Sequence, residues 1–325
     1  MPPQPVERQR AGRQSRQRWL DGGHGRAFPC SPLTRSKSIR TSGFWLLAPF
    51  FALFAIFWLA PVIGGVRLSL QSDTLFGPAE SVGLANYRAL LDDPRFFKAL
   101  RNTLTYTLAS IVVILPLALL LAEALHHCWP RLKGVLTFVL LLPGLTPPAV
   151  LALLFLLVFH GRNGLLNQWL VMPFGFAPID WLKDPAWILP ALVLQAAWRW
   201  LGLIAFFLLA GRESLPRPLY EVAALETNRR WPVFRRVTIP MLRHVLVFAG
   251  VYLVVDAFAM FSGAYVLLGG SGGTADAGLL LINYTYQQAF SFGKFGTAAA
   301  MSLAIAPLLL GVLAVCLLGK RRAQP

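Results

Sequence analysis

Two charged side chains stand where charge is costly: Arg199 inside the apolar run 186–209 and Asp256 inside the apolar run 245–268. A lone charge at the centre of a membrane helix costs roughly 2.5–3.5 kcal/mol, so each must face a bundle interior, a partner charge or water. Gln195, Trp198, Tyr252 and Ser262 flank the two. Aromatic faces beside hydrogen-bonding groups suit a molecule that has apolar C–H faces and many hydroxyls. The same residues also fit a plainer role, a buried ion pair that fixes helix packing.

Other chemistry finds little support. There is no G-x-x-x-x-G-K-[ST], so no phosphate cradle is present. Gly269–Gly273 is glycine-rich but lacks the lysine, and reads as a flexible loop. Cys30, Cys128 and Cys316 have no C-x-x-C spacing, and the five histidines are scattered, so neither a disulfide framework nor a metal site is indicated. Adjacent His126 and His127 point to different faces of a helix. No loop gathers an acid, a base and a nucleophile, which makes a membrane enzyme the weakest reading.

These residues must be held by membrane-spanning helices. The chain has 325 residues, is 56% apolar and only 14% charged, with a mean hydropathy of +0.58, more apolar surface than one soluble core can hide. Apolar runs near 20 residues fall at 44–66, 104–125, 135–159, 186–209, 245–268 and 298–318. Each is long enough, at about 1.5 Å per residue, to cross about 30 Å of hydrocarbon. The first is too long, and its basic leader too extended, for a cleaved signal peptide. The expected fold is therefore an all-α membrane protein with six transmembrane helices.

The net charge of +16 is a topology signal rather than a nucleic-acid footprint. With the N-terminus inside, 21 of the 30 Lys and Arg fall in segments on the cytoplasmic side. The positive-inside rule then puts both termini in the cytoplasm. Residues 1–43, rich in Arg, Gln, Ser, Gly and Pro, read as a disordered basic leader. Residues 44–318 form the membrane domain, and 319–325 a cytoplasmic tail. In the outer segment before the second span, Asp93 can cap a helix that starts at Pro94 and runs straight into that span. In the third span, Pro143-Gly144 and Pro147-Pro148 should kink the helix where protein or a polar cavity receives the freed carbonyls.

The inner loop 211–242 is the longest structured one. Pro216 and Pro218 open a short helix with Tyr220, Ala223, Ala224 and Thr227 on one face, at i, i+3, i+4 and i+7. Trp231, Phe234 and Val237 share a stripe on a second piece, and Pro240 punctuates entry to the fifth span. Small alanines suit close insertion into a partner's groove, and Glu221 and Glu226 offer acidic contacts. An amphipathic helix lying on the inner leaflet would use the same pattern.

This loop resembles the EAA loop of type I ABC importer permeases, in the binding-protein-dependent carbohydrate-uptake branch with the MetI-like fold. Tyr220, Glu221, Ala223, Glu226, Trp231, Phe234, Ile239, Pro240 and Leu242 stand in register with the family pattern. Val222 replaces the usual alanine and Thr227 the usual glycine. The missing glycine requires either strain at Thr227 or a left-handed residue one position on. Gly83–Phe97 followed by Ala99–Thr103, Gly164–Asn167, Tyr286–Phe290 and Gly296–Ser302 are similar to further family segments in the same order.

The resemblance implies one membrane subunit, forming half of the pathway for a sugar, oligosaccharide or polyol. Its implied partners are a second permease subunit, two ATPase subunits and a soluble binding protein, in a bacterial inner membrane and without nucleic acid. Tyr220, Glu221, Ala223, Ala224, Glu226 and Thr227 would carry the ATPase contact. Gln195, Trp198, Arg199, Tyr252, Asp256 and Ser262 would line the pathway. The chain would bind no cofactor and have no catalytic role, with ATP and Mg²⁺ used by the ATPase. A glycerol-3-phosphate-type permease is the alternative within the family, although a single pathway arginine suits a neutral solute better. An ion-coupled transporter would want coupling acids in both halves, and only Asp256 sits near the middle of a span.

Overall fold

In the computed structural model, residues 39–73, 80–227 and 229–318 are described. The first 38 residues of the basic leader, the tail 319–325 and Asn228 lie outside them. The described residues are helical throughout, with one isolated bridge, Gln71 to Ser81, and no strand. Residues up to Trp58 form one compact unit and those from Leu59 another. In the first, α1 (Ile39–Phe54) continues into a π turn, and Phe50, Phe54 and Trp58 stack along one side. Residues 39–43, assigned to the leader from sequence, already belong to α1.

The main helices described in the second unit are α2 (Ala60–Ser69), α3 (Ala85–Leu91), α4 (Pro94–His126), α5 (Pro130–Leu145), α6 (Pro148–Val158), α7 (Pro185–Glu213), α8 (Arg217–Glu226), α9 (Arg230–Val233), α10 (Arg243–Phe258), α11 (Ser262–Leu267), α12 (Leu281–Tyr286) and α13 (Phe295–Leu318). Leu47–Ser69, α4, α7 and Phe295–Ala314 are long and apolar enough to cross a membrane singly. Two bent pairs bring the total to as many as six.

The parallel seam between α4 and α7, whose C-terminal turns meet at Arg212 and Glu123, is the centre of the main core. Ala118 and Ala122 on α4, with Ala196 and Ala205 on α7, are buried there, and small residues let helix backbones approach where lipid supplies no hydrophobic drive. Gly202 serves the same end against α5, because a Cβ there would sit 1.8 Å from the Leu140 carbonyl oxygen. A second core joins Leu90, Phe96, Val254, Phe258, Leu281 and Met301.

Asp93 caps α4 as its sequence predicted, accepting from the Arg95 amide at 2.9 Å, and α4 runs unbroken from Pro94 through the second span. The third span breaks rather than kinks. Pro143 stays inside α5, while Thr146 and Pro147 are extended and α6 leaves at 99°. The fifth span is also interrupted, since α10 ends at Phe258 and α11 begins at Ser262. Asp256 therefore lies two residues from the end of α10, beside the break. Ala259 and Phe261 amides close the break onto Val255, Asp256 and Ala259 carbonyls.

The glycine-rich loop is tied down rather than loose. The Gln287 side-chain amide donates to the Gly270 carbonyl at 2.6 Å, and the Gly278 amide to that of Gly272 at 2.8 Å. Gly272 adopts φ +86° with its Cα against Leu279, a place no side chain fits. Beyond it, Asp276 pairs with both Arg95 nitrogens, Nε at 2.9 Å and Nη2 at 2.8 Å, and Asp93 accepts from the Tyr284 hydroxyl. Burial, reinforced by that bond to Asp93, pushes the Tyr284 phenol up to about 12.

Gly202→Val is expected to destabilise the purified protein by about 1–3 kcal/mol, the usual cost of overpacking. Gly134→Ala, where a Cβ meets open space, is expected to leave thermal unfolding in detergent unchanged or slightly raised. Equal unfolding temperatures for Gly202→Val and the unaltered protein would refute the close approach.

Candidate functional site

The loop 211–242 is built around one guanidinium. Arg212, in the last turn of α7, donates through Nε to Glu123 on α4 at 3.0 Å and lies 4.2 Å over the Tyr220 ring on α8. The Tyr220 hydroxyl in turn meets Thr238 Oγ1 at 3.1 Å. Lys133 on α5 bonds Glu213 at 2.5 Å beside it. One charged cluster thus ties α8 to both central helices and to the segment that follows. Charge-assisted and aromatic contacts of this kind are stronger where water is partly excluded.

These contacts turn α8 about its axis. Tyr220, Ala224 and Thr227 line a cavity of about 250 Å³ together with Glu123, Arg212 and Phe234, inside the chain's own fold. Of the stripe expected to enter a partner's groove, Tyr220, Ala223 and Thr227 are half-buried against their own chain while Ala224 is exposed. Glu221 and Glu226 are exposed, as are Val222 at 59% and Leu225 at 88%. Sequence spacing identified the stripe but not its partners, because Arg212 and Thr238 lie outside the helix itself and Glu123 is far away along the chain.

Thr227 itself is not left-handed, and the alternative, a left-handed Asn228, falls outside the described residues. Thr227 is extended, with φ −154° and ψ 136°, and its hydroxyl accepts from the Arg229 amide at 3.2 Å. The loop then continues through α9 and a π turn, Phe234–Thr238, before Leu242, where the run 230–241 meets α10 at 67°.

The candidate pathway residues divide into three places. Arg199 and Asp256 form no ion pair with each other; Trp200 stands between them. Its indole Nε1 donates to Asp256 Oδ2 at 2.6 Å, its ring lies 4.5 Å beneath the Arg199 guanidinium, and Tyr252 meets it edge-on at 5.1 Å. Gln195 is buried against Gly263, next to Ser262, at the start of α11. Trp198 is 60% exposed. Trp200 escaped the sequence reading, although a buried indole N–H needs an acceptor and Asp256 was the nearest unpaired one in the apolar runs.

Two buried polar atoms, Arg199 Nε and Gln195 Oε1, have no hydrogen-bond partner among the described residues. Most buried polar atoms are satisfied, and exceptions call for an explanation in function or strain. The family segments noted from sequence have structural work instead. Asn86 donates to the Ser69 and Gln71 carbonyls, each at 2.8 Å, and Asn102 to those of Asp276 and Leu279. Asn167 donates to the Ile179 carbonyl and accepts from the Trp181 indole. Each side-chain amide staples an irregular segment onto a helix.

Residues 114–323 match the family described as binding-protein-dependent transport system inner membrane component. An arabinooligosaccharides transport system permease protein of Bacillus subtilis is 32% identical over 85% of this chain and 87% of its own length. A lactose transport system permease protein of Rhizobium radiobacter is 30% identical over 81% and 89%. Among solved structures, a bacterial ABC transporter for import of the acidic polysaccharide alginate has a chain that superposes with a TM-score of 0.75. The match covers 87% of this chain and 96% of that one at 21% identity, which speaks to the fold alone. With a family match over most of its membrane domain and relatives of similar length across nearly all of it, this chain belongs to the inner-membrane permease components of binding-protein-dependent transport systems.

Proposed function

We propose that the chain is one transmembrane subunit of an ATP-driven importer for a carbohydrate, taking its solute from a soluble binding protein. The named relatives, all permeases for oligosaccharides or related sugars in their own organisms, support the substrate class. The observation that carries the mechanism is the Arg212 cluster, which joins the short exposed helix α8 to α4 and α7. A push on α8 is passed to the two longest helices through Glu123, Arg212 and Tyr220 rather than lost in a slack loop.

In this reading both termini are cytoplasmic, as the basic segments favour. Glu221 and Glu226, with the exposed Val222 and Leu225 beside them, meet a separate ATPase subunit that hydrolyses ATP with Mg²⁺. Tyr220, Ala223, Ala224 and Thr227 hold α8 in position behind that contact. A second permease subunit supplies the other half of the pathway. Arg199, Tyr252 and Asp256, with Gln195 and Ser262 at the neighbouring break, face a hydrated path, and the open Arg199 and Gln195 atoms suit sugar hydroxyls. Trp198 serves at a subunit or lipid boundary rather than in the path.

Reconstituted with its partner subunits and binding protein, the complex is expected to take up labelled sugar only with hydrolysable ATP. Uptake that persists with a hydrolysis-deficient ATPase would refute the reading. Leu225→Glu, which charges the outward face of α8, is expected to lower uptake about tenfold or more while assembly, followed by copurification of the subunits, stays near normal. This corresponds to about 1.4 kcal/mol or more of lost coupling.

Asp256→Asn and Arg199→Gln test the pathway. Each is expected to raise the apparent KM or lower maximal uptake at least about fivefold, with ATP hydrolysis less affected, because each removes about 1 kcal/mol or more of differential binding. Normal uptake by both variants would reduce the Trp200 cluster to helix packing.

A further inference from the structure

Beside the inner loop, a second cavity of about 410 Å³ opens on the outer surface of α4, lined by Leu120, Ala124, Trp231 and Phe234. It shares Glu123, His127, Arg230 and Phe234 with the wall of the cavity behind α8, so an apolar groove and a polar one adjoin. Above the apolar groove, Val113, Leu117, Leu120 and Ala124 follow one another at spacings of four, three and four and are all exposed. That spacing makes one continuous apolar stripe along α4.

Where the two cavities adjoin the lining is cationic, with Arg230 in both walls and Arg229 in that of the polar one. Arg229 and Arg230 are exposed, and neither side chain has a hydrogen bond or ion pair among the described residues. Glu123, the one acid in the wall, is already held by Arg212 at 3.0 Å. Trp231 is 63% exposed, tilted 30° to Phe234 at 5.6 Å, between the stripe and the arginines. A tryptophan between an apolar stripe and free cations is the arrangement favoured at the membrane–water boundary.

We infer that this groove binds an anionic phospholipid of the inner leaflet, its acyl chain along the α4 stripe and its phosphate at Arg229 and Arg230. The inference rests on the importer reading for the side of the membrane on which α8 lies. Charge complementarity selects an anionic head group, since zwitterionic lipid gains nothing from two free guanidiniums. The length of the stripe selects a lipid over a free phosphate ion. The bound lipid wedges α9 against the end of α4, next to the Arg212 cluster, and so steadies the joint between α8 and the membrane helices.

The test uses the full chain assembled with its partner subunits, supplied with phosphatidylglycerol or phosphatidylcholine and weighed by native mass spectrometry. Arg229→Gln/Arg230→Gln is expected to retain phosphatidylglycerol about tenfold less than the unaltered complex. Arg235→Gln/Arg236→Gln, an equal loss of charge outside the groove, is expected to retain it normally. Trp231→Ala, with the arginines intact, is expected to weaken retention about threefold. Equal losses in the two arginine pairs, equal retention of phosphatidylcholine, or displacement of the lipid by inorganic phosphate would each overturn the inference. So would a photocrosslinker at position 231 that captures another subunit instead of lipid. ATP-driven uptake measured on the same samples separates the two readings: intact uptake without selective lipid retention removes this inference and leaves the importer standing, whereas ATP-independent uptake removes the importer.

Discussion

Hydrocarbon offers no hydrogen bonds, and nearly every irregular feature of this chain answers that constraint. Where a helix stops inside an apolar stretch, something in the protein takes over the abandoned backbone groups. At the α10–α11 break, local amides bend back onto the Val255, Asp256 and Ala259 carbonyls. Between the apolar runs, the buried amides of Asn86 and Asn167 do the same for the turns around α3 and before α7. At the loop preceding α12, Asn102 reaches the Asp276 and Leu279 carbonyls while Arg95 takes the Asp276 carboxylate. These staples allow broken helices, and broken helices create polar surface at membrane depth.

The same constraint explains why charge is concentrated in two places. Within the membrane domain, Arg199 and Asp256 share one indole, which satisfies the carboxylate through a hydrogen bond and the guanidinium through its face. A direct ion pair would quench both charges against each other; with Trp200 interposed, each keeps capacity for a further partner. At the inner loop, Arg212 answers Glu123 and Tyr220 together. One site is poised to exchange partners and the other is fully engaged, which fits a path and a joint respectively.

The α4–α7 seam connects the two sites. Arg212 and Trp200 are both on α7, and their contacts on α4 and α10 belong to the same core. Alanines and Gly202 bring these backbones close, and a closely packed seam transmits displacement rather than absorbing it. Under the proposed importer function, this seam is the shortest packed route from α8 to Arg199 and Trp200 along α7.

Much of this was legible in the residues themselves. Apolar run length identified the helices, because the thickness of hydrocarbon sets how many residues a crossing takes. Asp93 before Pro94 fixed the start of α4, and the pattern from Tyr220 to Leu242 identified the family. These are local properties: a cap, a proline or a run of leucines acts on its own few neighbours. The tertiary structure alone decided that Pro147 rather than Pro143 breaks the third span, since Pro143 keeps its helix in the company of α7 while the Thr146-Pro147-Pro148 run cannot. It alone turned the Tyr220 face inward, placed Trp200 between Arg199 and Asp256, and anchored the glycine loop that sequence reads as slack. In each of these the deciding partner lies on another helix, and spacing along one chain carries no information about which side chain from elsewhere will satisfy a buried polar group.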